Sequence, residues 1–119
     1  MRKIVLALVF ASSLPAMAST TALVNSCYPQ AWQINGGNTF ASAIICANVT
    51  VASDLTAVIA CYPQAWSSTG GNTIAASTLC SNAKSAAETA AVIACFPTAW
   101  SANGGNTMAS ATLCSNVKK

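Results

Sequence analysis

Apolar and polar residues alternate along this chain in blocks rather than singly. An apolar run from Ile4 to Leu14 follows Arg2 and Lys3 and gives way to the small residues Ala16-Met17-Ala18. A basic start, a short apolar stretch and an A-x-A ending form a secretory signal peptide, with cleavage expected after Ala18. The apolar run is too short to span a bilayer as a mature helix. No cysteine stands at the cleavage point, so no lipoprotein anchor is suggested.

Beyond residue 18 the pattern repeats. The segments CYPQAWQINGGNTFASAIIC, CYPQAWSSTGGNTIAASTLC and CFPTAWSANGGNTMASATLC start at Cys27, Cys61 and Cys95, each 34 residues after the last. Extended to the full period, the units tile as 19–52, 53–86 and 87–119, so the signal peptide 1–18 is followed by one domain of three repeats. The tiling starts at the expected cleavage point. Repeats two and three agree at 20 of 33 positions, and repeats one and two at 16 of 34.

Each unit has two regimes. From Pro63 to Thr73 the second unit holds proline, Gly-Gly and asparagine, which are turn residues. Outside this stretch repeats two and three are free of both breakers, rich in alanine and helix-favouring. Asn72 or Thr73 is placed to cap a helix beginning near Ile74, and Asn106 or Thr107 one beginning near Met108. A Ser81-Asn82 pair is placed to divide the run that follows. Ala87, Ala90, Ala91 and Ala94 suggest a small-residue face for close helix packing. Repeat one is less helical in character, since FASAIICANVTV holds several β-branched residues. The expected fold is a small disulfide-stapled repeat protein, mainly α, with each unit a Cys-bridged loop plus an Ala-rich helix. The alternative is a small β repeat or trefoil-like arrangement. Tetratricopeptide repeats share the 34-residue period. Their units have two uninterrupted helices, whereas proline and Gly-Gly stand in the middle of these.

Composition explains why the cysteines matter. Residues 19–119 hold 33 Ser, Thr and Asn and 21 Ala, against only 18 Leu, Ile, Val and Phe. An alanine core removes little apolar area from water, and burial contributes about 25 cal/mol per Å². An even cysteine count in a short exported chain reads as a disulfide framework. Two symmetric pairings are sensible. One lies within units (Cys27–Cys46, Cys61–Cys80, Cys95–Cys114), and the other joins Cys46 to Cys61 and Cys80 to Cys95. If Cys80 and Cys95 shared a helix they would be about 22 Å apart. A disulfide needs Cα atoms within about 7 Å. A helical reading therefore selects the within-unit pairs, and a sharp bend at Ser81-Asn82 would reopen the other choice.

Charge and chemistry narrow the function. The chain has five basic residues, two acidic ones and no histidine. General acid–base catalysis needs a titratable group near neutrality, so no enzyme is expected and no catalytic residue is named. The cysteines lack the close C-x-x-C spacing of zinc sites, so neither metal nor cofactor is expected. Residues 19–119 carry a net charge of +1 without a basic patch, which argues against nucleic acid. Asp54 and Glu88 recur 34 residues apart, where repeat one has Thr20, and read as helix-start carboxylates. The GGNT segments read as turns into a helix, with an anion nest as the functional alternative. Asn48-Val49-Thr50 fits the N-glycosylation pattern.

Trp32, Trp66 and Trp100 are each expected to anchor a small core on the disulfide of their unit. Their functional reading is an exposed platform stacking on a sugar, with Asn38, Asn72 and Asn106 supplying hydrogen bonds. The expected role is a secreted, periplasmic or extracellular, structural or interaction protein that self-associates or docks on a protein partner. The alternative is a small multivalent binding module, with carbohydrate as its ligand. No membrane span is expected after signal cleavage.

Overall fold

A computed structural model of the chain describes residues 21–117. The signal peptide, its cleavage site, Thr20 and the C-terminal lysines lie outside the described residues. Six helices follow in alternating length: α1 (residues 21–34), α2 (Thr39–Cys46), α3 (Ala52–Ser68), α4 (Thr73–Cys80), α5 (Ala86–Ala102) and α6 (Thr107–Cys114). No strand occurs among the described residues.

The short helices start where a side chain replaces the missing intrahelical partner. Asn38, Asn72 and Asn106 accept from the backbone N–H of Ala41, Ala75 and Ala109, each at 2.8 Å. This cap, with the bridge at Cys46, makes residues 39–46 helical despite their β-branched content. The long helices end where the chain turns left-handed. Gly70 and Gly71 have φ of +72° and +81°. The Gly71 N–H then returns to the Trp66 carbonyl at 2.8 Å, closing the helix end. The same bond joins Gly37 to Trp32 and Gly105 to Trp100.

Two expectations need correction. Pro63 does not open a loop: it lies inside α3, as Pro97 lies inside α5. Proline removes one helical hydrogen bond, but Cys61, Tyr62 and Ala65 are buried on either side of Pro63 and hold the helix against its neighbours. Each 34-residue unit thus carries two helices, and the disulfide joins them rather than closing a loop. Second, Ala87, Ala90 and Ala94 are exposed, and α5 instead buries Thr89, Val92, Phe96 and Ala99. The chain is divided where Ser81-Asn82 is placed to divide it, bending over residues 81–85, so Cys80 and Cys95 are not on one helix.

The bridges are Cys27–Cys46, Cys61–Cys80 and Cys95–Cys114, with Cα separations of 5.9, 5.8 and 5.8 Å. Each ties the middle of a long helix to the last residue of the following short one. In the chain-entropy view a loop of this size contributes about 3 kcal/mol. Packing then proceeds sideways: α2 lies against α4 and α4 against α6, while α3 lies against α5. The core between them is thin. Its largest fully buried side chains are Ile45, Leu79, Val49, Val58 and Val92, and alanines and half-cystines fill the rest.

Candidate functional site

The three tryptophans sit in the last turns of the long helices, where the Gly-Gly turn follows. Each indole lies over the second glycine of that turn. A Cβ built on Gly37, Gly71 or Gly105 would come within 3.1–3.2 Å of the Cζ2 of Trp32, Trp66 or Trp100. The rings are 46–47 % exposed, so they are not the buried disulfide anchors expected of them. Their outer faces line shallow grooves between neighbouring helix pairs. Ile34, Asn35 and Gly36 meet Tyr62, Pro63 and Trp66 in one groove. Ser68, Thr69 and Gly70 meet Phe96, Pro97 and Trp100 in the other. Trp32 lines a groove with Tyr28, Pro29, Gln30 and Gln33.

Asn38, Asn72 and Asn106 each directly follow the glycine on which an indole rests. Their oxygens cap the short helices, and neither Asn72 nor Asn106 lines a tryptophan groove. The same caps answer the anion-nest reading. The Ala41 N–H goes to Asn38 Oδ1 and the Asn38 N–H to Asn35 Oδ1, at 2.8 and 2.9 Å, and Asn106 and Asn103 repeat this arrangement.

Two features were not singled out from the sequence. One is a ladder of asparagines. Asn48 Nδ2 donates to Asn82 Oδ1 at 2.8 Å, and Asn82 Nδ2 donates to Asn116 Oδ1 at 2.7 Å. The signal was the recurrence of asparagine at this position in all three units. The glycosylation-pattern nitrogen of Asn48 is therefore engaged in the ladder. The other feature is Lys84, whose ammonium donates to the Asn48 carbonyl at 2.6 Å and to Asp54 Oδ2 at 3.0 Å.

Asp54 is buried and collects bonds from the Thr50 N–H and hydroxyl as well as from Lys84. Burial pushes its carboxyl up, but the Thr50 N–H, the Lys84 ammonium and the Thr50 hydroxyl outweigh it and hold the group below the usual carboxylate range. Glu88 accepts from the Lys84 backbone N–H at 2.8 Å. Both carboxylates thus serve helix starts. Among the described residues no group of His, Cys, Asp or Glu is arranged to hold a metal ion. No described helix is long and apolar enough to cross a membrane. Comparison with protein-family models, curated proteins and solved structures finds no match.

Proposed function

We propose that this chain is a secreted, non-enzymatic structural or interaction protein of the cell envelope or extracellular space, built as a stack of three disulfide-stapled helix pairs. It acts through protein contacts, by self-association or by docking on a partner surface. One observation carries this reading: large apolar side chains stand out from a surface with few charges. Phe40 is 65 % exposed and Leu113 61 %, and the three tryptophans are half-exposed. Contiguous exposed apolar area marks interaction surfaces, and a net charge of +1 over residues 19–119 offers little repulsion between copies. Both carboxylates being spent on helix starts supports the non-enzymatic side of the reading. Light scattering after size-exclusion of the oxidised, secreted protein tests it. The mass should rise above that of one chain with concentration or on adding a partner; a monomer at every concentration counts against self-association.

The tryptophan grooves favour a second reading, a multivalent module for carbohydrate, because half-exposed indoles offer flat apolar faces in two equivalent settings. It predicts tryptophan emission that shifts on adding sugars. Emission unchanged by mono- and oligosaccharides removes it.

A further inference from the structure

Burial varies between equivalent positions of the three short helices in a directional way. Leu79 and Ile45 are wholly buried, while Leu113, at the same place on α6, is 61 % exposed. Ser77 and Ala111 are wholly buried, while Ala43, at the same place on α2, is exposed. Ser81 and Ser115 are buried, while their counterpart Ala47 is exposed. Among the described residues only α4 has a short helix on both sides, and only α4 buries both sets. One set of positions therefore faces the following unit and the other the preceding one. The last unit leaves the first set bare and the first unit leaves the second bare.

The asparagine ladder has the same sense. Each amide nitrogen donates towards the following unit, from Asn48 to Asn82 and from Asn82 to Asn116. A further rung in that direction would run from Asn116 to the Asn48 of another copy.

Stacked-repeat proteins end in units with polar outer faces, which stop the stack. Here the ends carry Leu113 on one side and Ala43 and Ala47 on the other. Resting on the self-association reading above, we infer that copies of this chain stack head to tail. The α6 face of one covers the α2 face of the next and continues the contact that α2, α4 and α6 make within the chain. The occupant is a second copy because these bare positions are the ones a neighbouring unit already covers inside the molecule. Such a contact is heterologous, so it builds chains or rings of copies rather than a two-fold symmetric dimer.

The test uses two variants at exposed positions, Leu113→Glu and Ala43→Glu, in the secreted, oxidised protein. Circular dichroism and melting temperature confirm that each is folded. Sedimentation should show wild-type protein forming a concentration-dependent series of species. Each variant alone should associate at least tenfold more weakly. An equimolar mixture should form a one-to-one pair and nothing larger, since each variant retains the face the other lacks. A folded variant that associates like wild type overturns head-to-tail stacking but leaves self-association standing. So does a mixture that forms no pair. Wild-type protein that is monomeric at every concentration overturns both.

Discussion

Lys84 reaches back across the boundary between two helix pairs to Asp54, with Nζ 3.0 Å from Oδ2. Among the described residues it is a charged contact between units that also meet through apolar packing and asparagine amides. The same lysine also bonds the Asn48 carbonyl, so one side chain fastens the start of α3 and the loop before it.

This contact has a defined pH dependence. The Asp54 carboxyl lies below its usual range in the folded protein, so folding favours the ionised form. The stabilisation is fully present above the unfolded-state value of about 4 and is lost as pH falls through the folded-state value. Melting temperature between pH 6 and pH 2 should fall more steeply for wild type than for Asp54→Asn. The variant should be less stable near neutrality by about 1–3 kcal/mol, the usual cost of removing a charged hydrogen-bond partner. Parallel curves would show that the contact contributes nothing.

The two glycines of a turn should differ. Gly70 and Gly71 both have positive φ, so alanine at either costs about 1–2 kcal/mol in backbone strain. Only at Gly71 does the new Cβ meet Trp66, at 3.2 Å, while nothing lies within 4 Å of Gly70. Gly71→Ala should therefore destabilise more than Gly70→Ala and should alter tryptophan emission, which Gly70→Ala should leave unchanged. Denaturant unfolding followed by fluorescence reads both effects. Equal losses with no spectral change would contradict the packing of indole on glycine.

Tyr62 is buried with a hydroxyl that has no hydrogen-bond partner, and the third unit has Phe96 at the same place. A buried unsatisfied polar group costs about 1–3 kcal/mol. Tyr62→Phe should therefore hold or raise the melting temperature. A clear fall would show that the hydroxyl is bonded in solution.

Some of this was legible in the sequence and some was not, for physical reasons. The starts of α4 and α6 follow from a local rule, an asparagine placed to satisfy free N–H groups, and the sequence shows it at Asn72 and Asn106. The stretch from Pro63 to Ser68 does not, because the helix survives its proline through burial of Cys61, Tyr62 and Ala65 against other elements. The bridge pairs coincide with those a helical reading selects, even though the bend that would reopen the other choice is present at residues 81–85. Burial at Leu113 was illegible for a related reason. Its chemistry matches that of Leu79, and what separates them is that Leu79 is covered by α6 while no later short helix among the described residues covers Leu113. The tryptophans were misplaced because an indole in a disulfide-rich unit suggests a core, while here the half-cystines and alanines already fill it.

The central claim is that covalent links, more than apolar burial, hold the helix pairs in the register that presents the two ends. Thermal unfolding of the secreted protein before and after reduction, followed by far-ultraviolet circular dichroism, tests this most directly. With three links each contributing about 3 kcal/mol, the reduced chain should lose its cooperative transition, or melt tens of degrees lower. An unchanged melting curve after complete reduction would contradict it.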